Sequence, residues 1–239
     1  MMYNPSAAFL DPERNLPANN FSSLRDSRPI EIRLVSDPAE LAEIYEFRYQ
    51  VYVEEMRFKQ HHADHCLRRI EDPLDVGGYN FAAFYRDELV GVVRVNFPST
   101  SEIGHYEDLF DMASAGRFHP DATSISTRLM TASRFRGTNL ALRLCRASYA
   151  FGLDHDIRFN FLNCADRLVP FFERLGYAVH RRAEDPEHGL SPVMRLDLLD
   201  RARLTPIRSP FLSILNAKKQ ADGAGPYPPA TRQVPTYTA

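Results

Sequence analysis

A loop containing arginine and glycine, placed between a predicted strand and a predicted helix, is the segment of this sequence best suited to binding a phosphate. Residues 123–177 read strand, loop, helix, strand and helix, and the loop at 134–139 is RFRGTN. Backbone N–H groups at the start of a helix bind anions, so this context predicts a phosphate site. The next strand ends at Asn163, beside the loop in this arrangement. Such a site suits a phosphopantetheine thioester, the reactive handle of both coenzyme A and acyl carrier protein.

A second unusual feature is an arginine on an apolar helical face. Asp37 and Pro38 favour a helix start, and Glu40 completes a capping-box pattern. Apolar and aromatic side chains then follow at helical spacing, at Leu41, Ile44, Tyr45, Val51 and Tyr52. Arg48 falls within this stripe, and an arginine on the buried face of a helix is uncommon.

Two further groups of reactive side chains have simpler interpretations. The run HHADHC at 61–66 contains several metal-ligand types, and His61 and His65 would lie together on a helix. The run is in a polar stretch without a distant ligand pair, so we interpret it as a solvated loop and assign no metal site. Cys164 follows Asn163, but no histidine is placed by the sequence to activate it. We interpret it as a small buried thiol.

Composition limits the classes of partner. The chain has 239 residues and a formal net charge of −2, with basic and acidic residues intermixed, which gives no reason to expect nucleic acid or an acidic membrane surface as a partner. No signal-peptide pattern is present, and no apolar run approaches the roughly 20 residues that span a bilayer. Three irregularly spaced cysteines favour reduced thiols and a cytoplasmic location.

Both ends of the chain have the composition of tails. Residues 1–28 are rich in Asn, Pro, Ser and Ala, and the C-terminal segment is rich in Pro, Gly and Thr, without periodicity in either. We therefore predict a flexible N-terminal tail at 1–28, one folded domain at 29–215 and a disordered C-terminal tail at 216–239.

The folded part is predicted to be an α/β domain, a mixed sheet with helices on both faces. A strand at 30–35 precedes the first helix, and strands at 79–86 and 89–97 form an antiparallel hairpin through a turn at 87–88. A short helix at 106–112 precedes the segment at 123–177. Two more strands, at 177–183 and 192–199, complete the domain.

This order of elements resembles the GCN5-related N-acyltransferase (GNAT) fold over nearly all of 30–200, which implies a mostly antiparallel sheet. The loop matches the pyrophosphate pattern R/Q-x-x-G-x-G/A of that family in part, because Asn139 stands where Gly or Ala is expected. An ordinary strand-to-helix turn is the alternative for the loop taken alone. The resemblance implies that the pantetheine amides are bound by Asn163 and the phosphates by Arg134, Arg136, Gly137, Thr138 and Asn139.

The sequence departs from ordinary acetyltransferases at one chemical position. Residues 163–177 resemble their strand–helix element that ends in a tyrosine, three residues and Gly-Phe. Here Phe172 takes the place of the tyrosine, and Gly176 and Tyr177 follow. In many acetyltransferases that tyrosine protonates the departing thiolate, which phenylalanine cannot do. We therefore interpret Phe172 as a core residue.

A third set of residues resembles the acyl-homoserine-lactone synthases and the long-chain N-acyl amino acid synthases of the FeeM type, over about 40–200. These families acylate the amine of a small acceptor from an acyl carrier protein thioester, and an arginine–aspartate network anchors their first helix near the acceptor. The resemblance implies catalytic roles for Arg48, Asp72, Asp75 and Arg128. It implies substrate contacts for Tyr52, Phe58, Arg94 and Thr127.

The resemblance leaves the acid–base chemistry open. Lactone synthases carry an E-x-S-R string before the loop, and Ile125 replaces the glutamate here. The remaining candidates for the general base are Asp72, Asp75, Glu55 and His105. Either Arg94 or Arg128 could hold an acceptor carboxylate, and backbone N–H groups near 129–132 could bind the oxyanion.

These observations predict an enzyme, an N-acyltransferase that moves a medium or long acyl group from acyl carrier protein or coenzyme A to the amine of a small amino-acid-like acceptor. The acyl-phosphopantetheine thioester would be a co-substrate, with no permanently bound cofactor and with acyl carrier protein as a candidate partner. Two alternatives stay open. One is an acetyl-CoA-dependent acetyltransferase, and the other is a non-catalytic module that senses an acyl thioester.

Overall fold

The computed structural model describes residues 30–187 and 189–223, so the tail predicted at 1–28 lies outside the described residues, as do residues 224–239. The first half of the chain contains β1 (Glu31–Val35), α1 (Pro38–Tyr49), a π-helical segment (Gln50–Glu55), β2 (Ala63–Asp64), β3 (Arg69–Ile70), a 3-10 turn (Pro73–Gly77), β4 (Tyr79–Tyr85), β5 (Glu88–Asn96) and α2 (Tyr106–Leu109). The second half contains β6 (Thr123–Thr131), α3 (Leu140–Asp154), β7 (Phe159–Asn163), α4 (Val169–Leu175), β8 (Ala178–Asp185), β9 (Gly189–Asp197), α5 (Arg201–Leu204) and α6 (Leu212–Gly223).

Seven strands form one mixed sheet in the order β1-β4-β5-β6-β7-β9-β8. Neighbouring strands are antiparallel except for β6 and β7, which run parallel. Parallel neighbours need a crossover connection, and α3 supplies it. The predicted fold class, a mostly antiparallel mixed sheet with helices, is confirmed.

Helices cover both faces of the sheet because strand side chains alternate in direction. On β4, Phe81 and Ala83 pack in the core beneath α3, α4 and α6. Their neighbours Ala82 and Phe84 face the opposite side, where the core includes residues of α1. This alternation explains why the almost wholly apolar sequence of β4 is a strand buried on two faces.

The sheet opens between its two parallel strands. β6 and β7 pair only where Thr123–Ile125 faces Phe159–Phe161. β6 nevertheless continues to Thr131 and β7 to Asn163. Beyond Ile125 the two strands therefore diverge, and their facing edges carry backbone groups that no neighbouring strand satisfies.

Three local predictions need correction. The turn between β4 and β5 is at Arg86 and Asp87, both with positive φ, and not at 87–88. This matches the twist that a two-residue hairpin requires. The helix predicted at 106–112 ends at Leu109, because Asp111 adopts a left-handed conformation with φ 51°. Glu40 pairs with Arg33 and does not complete a capping box, whereas Asp37 does cap α1.

The folded part also extends beyond the predicted boundary at 215. α6 runs to Gly223, so the first residues of the predicted C-terminal tail are helical. Leu215 is buried against the core, and Lys218 lies 3.0 Å from Asp154 of α3. The sequence after residue 215 is mostly polar because only one face of the helix is packed, so its composition did not predict a helix. Within the described ranges, no helix is long and apolar enough to cross a membrane.

Candidate active site

Arg48 is held in the protein interior by a two-point contact with Asp75. The last turn of α1 carries Arg48, whose side chain is 0% exposed. Its Nη1 donates to Asp75 Oδ2 at 2.7 Å, and its Nη2 donates to Asp75 Oδ1 at 3.0 Å. Nη2 also donates to Asn80 Oδ1, on β4, at 2.7 Å. This paired geometry explains how an arginine is tolerated on the apolar face of a helix.

Arg94 joins the same two carboxylates to the sheet. From β5, its Nη1 lies 2.6 Å from Asp72 Oδ1 and 2.9 Å from Asp75 Oδ1. Its Nε donates to Thr127 Oγ1, on β6, at 3.1 Å. The Arg94 side chain is buried and engaged by protein groups. Arg94 does not line the cavity described below, whereas Arg128 does, so the structure favours Arg128 of the two alternatives for an acceptor carboxylate.

Arg128 completes the network from β6. Its Nη2 and Nε donate to Asp72 Oδ2 at 2.7 and 3.2 Å, and its Nη1 donates to Gln60 Oε1 at 2.7 Å. Glu187 Oε2 lies 3.8 Å from Nη1. The structure thus brings together six of the residues singled out in the sequence, namely Arg48, Asp72, Asp75, Arg94, Thr127 and Arg128. We refer to these six as the arginine–aspartate network.

A single turn of 3-10 helix positions both aspartates. Asp72 is the N-cap of the turn, and its carboxylate accepts from the backbone N–H of Leu74 at 3.1 Å. The Asp75 carboxylate accepts from the backbone N–H of Asp72 at 2.9 Å, which forms a capping box. Pro73 occupies the first position, where its missing N–H costs nothing. The string EDPLD therefore both builds the turn and directs its two carboxylates at the arginines.

The arginines keep both aspartates ionised. Burial alone would raise the pKa of Asp72, but Arg94 and Arg128 outweigh it and hold that pKa well below its usual range. Burial acts on Asp75 in the same way, and Arg48 and Arg94 bring its pKa below the ordinary value. Carboxylates with lowered pKa values are weak bases. This geometry favours a positioning role for the two aspartates and argues against proton transfer by either.

Arg128 sits in a strained backbone conformation at a bulge. Its φ is 57°, in the left-handed region that non-glycine residues seldom adopt. The pairing of β5 with β6 shifts register at this point, between Val92 and Arg94. A bulge of this kind re-aims a side chain. Here it turns the Arg128 guanidinium toward Asp72 near the place where β6 leaves β7.

A cavity occupies the opening between β6 and β7. Both strands line it, through residues that include Thr127, Arg128, Leu129, Leu162, Asn163 and Cys164. Its other walls are formed by Cys145 and Ser148 of α3, by Phe172 of α4, and by aromatic residues near the network. An extended ligand in this cavity would meet the unpaired edges of two strands, as a peptide does when it adds to a sheet.

Tyr52 and Phe58 form the aromatic wall of this cavity beside the network. Tyr52 lies on the π-helical segment after α1 and is buried. The Arg128 guanidinium carbon lies 5.3 Å from the centre of the Tyr52 ring, within the range of a cation–π contact. The rings of Tyr52 and Phe58 stack with centroids 6.4 Å apart. Both residues therefore line the cavity, and their contact with a substrate stays a prediction.

Three tyrosines line the cavity, and their hydroxyl groups differ in availability. The Tyr177 hydroxyl donates to Asn160 Oδ1 at 2.6 Å, so its proton is engaged. The Tyr52 hydroxyl interacts with Arg128. The Tyr106 hydroxyl makes no hydrogen bond with any residue that the structure describes. Burial raises the pKa of Tyr106, which keeps its phenol protonated. Among the residues that the structure describes, Tyr106 is thus the cavity tyrosine whose hydroxyl has no hydrogen-bond partner.

The predicted phosphate loop lies outside the lining of the cavity and leads into α3. Gly137 has φ 77°, a conformation that glycine adopts without strain. Asn139 is the N-cap position but makes no side-chain cap. Instead, Thr138 Oγ1 donates to the Phe135 carbonyl at 2.6 Å and accepts from the Leu140 N–H at 3.3 Å. Thr138 therefore shapes the start of α3.

Both loop arginines are paired with carboxylates. Arg136 donates from Nη2 to Glu55 Oε2 at 2.9 Å and from Nη1 to Glu55 Oε1. Arg134 pairs with Glu88 at the protein surface. A phosphate bound at this loop would therefore compete with Glu55 and Glu88 for the two guanidinium groups.

Asn163 ends β7 and lines the cavity, but its amide is engaged. Its Nδ2 donates to Asp185 Oδ2 at 3.1 Å. Asp185 in turn accepts from the backbone N–H of Glu187 through Oδ1 at 2.8 Å. The pantetheine contact proposed for Asn163 would therefore use its carbonyl oxygen or replace the bond to Asp185.

The remaining candidates for the base and the oxyanion site do not converge on the cavity. Glu55 is paired with Arg136, and His105 is exposed and packs its ring against Tyr106. The backbone N–H of Ala132 donates to the Val90 carbonyl at 2.9 Å, which removes it from the predicted oxyanion donors. Leu129 lines the cavity and stays a candidate donor.

The residues set aside in the sequence have ordinary environments. In the described ranges, no group of three or more His, Cys, Asp or Glu side chains is placed to hold a metal. The Cys164 thiol lies 3.6 Å from the Met194 sulfur, and burial raises its pKa to about 12. A thiol with that pKa is a poor nucleophile at neutral pH. Phe172 is buried and lines the cavity, which makes it more than a core residue.

Four residues of the site were not found from the sequence. Asn80 is a polar residue in an apolar strand, a signal that was available. Gln60 and Glu187 lie in a loop and a turn of ordinary polarity, where no pattern distinguishes them. Tyr106 was placed in a short helix, where the sequence pattern does not distinguish a residue that lines a cavity from one that packs in the core.

Comparison with known families gives one match that spans this site. The family model of the N-acyl amino acid synthase FeeM matches residues 43–196, which contain the whole network and the loop. A search of curated protein sequences finds no match to this chain.

Solved structures share the architecture at low sequence identity. BjaI, a CoA-dependent acyl-homoserine lactone synthase solved with SAM and isopentyl-CoA, is 19% identical, with a TM-score of 0.58 over 76% of this chain and 91% of that chain. FeeM, an N-acyl amino acid synthase from uncultured soil microbes, is 12% identical, with a TM-score of 0.58 over 75% of this chain and 97% of the FeeM chain. A GNAT-family acetyltransferase from Staphylococcus aureus Mu50 is 16% identical, with a TM-score of 0.50 over 71% of this chain and 99% of the acetyltransferase chain. At these identities the likeness shows the fold alone, and it confirms the GNAT architecture.

Proposed function

The chain belongs to the FeeM family of N-acyl amino acid synthases and is an acyltransferase, and from this premise we propose that it joins a medium or long acyl group to the amine of a small amino acid. The observation that carries the proposal is the cavity between β6 and β7, which places Arg128 of the arginine–aspartate network in one wall and helix α3 in another. One cavity can therefore receive a thioester and an acceptor together.

The donor is an acyl-phosphopantetheine thioester, with its phosphate at the loop before α3. The N-terminus of a helix of 15 residues carries partial positive charge and unpaired N–H groups. Gly137 permits the loop conformation, and Arg134 and Arg136 exchange their carboxylate partners for the phosphate. The pantetheine arm then follows the opening of the sheet past Asn163. Acyl carrier protein and coenzyme A present the same arm, and a cytoplasmic location would give access to both.

The acceptor binds at the network end of the cavity. Arg128 is the arginine of the network that lines the cavity, and Tyr52 covers one face of its guanidinium. A guanidinium can hold the carboxylate of an amino acid, which leaves the amine to face the thioester. Arg48 and Asp75 keep Arg128 in place indirectly, through the turn that carries Asp72.

Amide formation proceeds by attack of the neutral amine on the thioester carbonyl. A C–N bond forms, the C–S bond breaks, the amine loses a proton and the pantetheine sulfur gains one. The Leu129 backbone on the unpaired edge of β6 supports the oxyanion. Tyr106 donates its phenolic proton to the departing sulfur and regains one from the amine, directly or through a water molecule, so that the proton lost by the amine is accounted for and the phenol is restored. Phe172 cannot fill this role.

Amine-dependent release of thiol tests the proposal. Purified protein is mixed with acetyl, octanoyl and palmitoyl thioesters of both carriers, with each of the twenty amino acids in turn. Free thiol should appear only with an amino acid and with the longer acyl groups. Release confined to the acetyl donor would indicate an acetyltransferase, and no release with any pair would contradict the proposed function.

A further inference from the structure

The buried charges of the arginine–aspartate network do not balance. Three guanidinium groups, from Arg48, Arg94 and Arg128, face the two carboxylates of Asp72 and Asp75. Each of the five side chains is 6% exposed or less. One positive charge is therefore unmatched, and a buried charge without a partner is costly.

The positive charge of the network is least compensated at the Nη1 side of the Arg128 guanidinium. Its Nε and Nη2 groups are directed at Asp72, whereas Nη1 contacts the neutral amide of Gln60. Arg128 also lines the cavity, so this residue lies at the boundary between the network and the ligand space.

Glu187 supplies a third carboxylate, but its oxygen is too far from Arg128 Nη1 for a hydrogen bond. Its Oε2 is 3.8 Å from Arg128 Nη1, which is longer than a hydrogen bond. Its Oε1 accepts from the backbone N–H of His61 at 3.3 Å. The turn that carries Glu187 is tied to β7, because Asp185 accepts from both Asn163 and the Glu187 N–H. Glu187 therefore compensates the charge of Arg128 without forming a direct bond to it.

We propose that Glu187 occupies the place of the acceptor carboxylate, and that an amino acid displaces it as the anionic partner of Arg128. This inference rests on the proposed function, and it adds that the acceptor must carry an anionic group. A carboxylate that enters the cavity can approach Nη1 to hydrogen-bond distance, which Glu187 does not reach. Glu187 is then a specificity-determining residue, since it competes with the acceptor and sets how strongly an anion must bind.

The experiment compares the wild-type chain with Glu187→Gln, which removes the charge and keeps an oxygen for the His61 N–H. The matched control is Glu184→Gln, on the same hairpin and exposed. Acceptor KM is measured by thiol release, and acceptor binding by thermal shift. The probes are the twenty free amino acids and their carboxamides, with octanoyl-CoA as donor.

The expected result is a KM for the free amino acid that falls about two- to fivefold in Glu187→Gln. The variant removes the weak ion pair between Glu187 and Arg128 that the acceptor must otherwise displace, and a pair of that strength changes affinity by about this factor. The KM for the carboxamide and all values for Glu184→Gln should not change. An unchanged amino-acid KM would overturn the inference, as would an equal change for the carboxamide. A fall in kcat of about a hundredfold would overturn it too, and would indicate that Glu187 is the general base.

Failure of the proposed function has a different signature. If the wild-type chain releases no thiol with any acceptor, the thermal shift still compares amino acids with carboxamides. Tighter binding of free amino acids to Glu187→Gln would then support the anion site without the reaction. If free amino acids bind Glu187→Gln no more tightly than they bind the wild-type chain, or do not bind at all, the anion site is rejected as well.

Discussion

Arg48 and Asp75 face each other with Nη1 and Nη2 of the guanidinium opposite the two carboxylate oxygens, at 2.7 and 3.0 Å, and neither side chain is more than 2% exposed. The two residues lie 27 positions apart in the chain. Their contact fixes the end of α1 to the turn that carries Asp72, and through Asp72 to Arg128 at the cavity.

Replacing Arg48 with Ala should remove activity and destabilise the fold. The loss leaves Asp75 buried without its bidentate partner, which costs about 3–5 kcal/mol. Urea unfolding measures the free energy of unfolding, and thiol release measures activity. Arg33→Ala is the control, because Arg33 of β1 forms a partly exposed ion pair with Glu40 of α1, the helix that carries Arg48. A folded Arg48→Ala protein with full activity would show that the network has no part in positioning substrates.

Stability should fall in acid because of Asp72 and Asp75. Their folded pKa values lie below the ordinary value of about 3.9. The unfolded chain therefore binds more protons between the folded and unfolded pKa values, and stability decreases as the pH falls through that window. The stabilisation is fully present above about pH 5. Asp75→Asn should flatten this dependence.

The control for the acid dependence is Asp166→Asn. Arg182 lowers the pKa of Asp166 at the protein surface, where solvent screens the pair. Its replacement should leave the pH dependence of unfolding nearly unchanged. If the free energy of unfolding depends on pH with the same slope in the wild-type chain and in Asp75→Asn, Asp75 is not a source of the acid dependence.

Replacing Gly137 with Ala should weaken donor binding. The φ of 77° costs an L residue about 1–2 kcal/mol, although no atom lies within 4 Å of the new methyl group. The loop would shift, and the KM for the thioester should rise about five- to tenfold. Gly104→Ala is the control, since Gly104 has φ 56° and is equally open. If both variants keep the wild-type donor KM, the loop does not bind the phosphate.

Replacing Tyr106 with Phe should lower kcat about a hundredfold while acceptor KM changes little, because the variant loses the proton donor for the thiolate. Tyr149→Phe is the control, because its hydroxyl donates to the Leu198 carbonyl at 2.7 Å and Tyr149 is not among the residues that line the cavity. That variant should lose stability and keep kcat. A Tyr106→Phe variant with the wild-type kcat would exclude Tyr106 as the proton donor to the departing thiolate.

Much of the fold could be predicted because its signals are local. The apolar stripe of α1, the strand pattern of β4 and β5 and the strand–loop–helix order around Gly137 each depend on neighbours in sequence. The end of α6 could not be predicted, because the packing of Leu215 is a long-range contact. The same applies to the positive φ of Arg128, which a bulge against β5 imposes.

The site was predictable where residue types are unusual for their positions. Arg48 stands out on an apolar face, and the resemblance to the FeeM-type synthases implied an arginine–aspartate network with Asp72 and Asp75, which the structure brings together. The partners of that network were not predictable. Gln60 and Glu187 reach Arg128 from separate loops, and the engagement of Asn163 by Asp185 depends on how the β8–β9 hairpin folds over β7.

Mass spectrometry of lipids from cells that overproduce the chain tests the central claim most directly. The comparison is with cells that overproduce Asp75→Asn at the same level. An N-acyl amino acid with a medium or long acyl group should accumulate with the wild-type chain and be absent with the variant, and its mass would identify both the acceptor and the acyl length. Extracts without any N-acyl amino acid, or with N-acetyl products alone, would contradict the account.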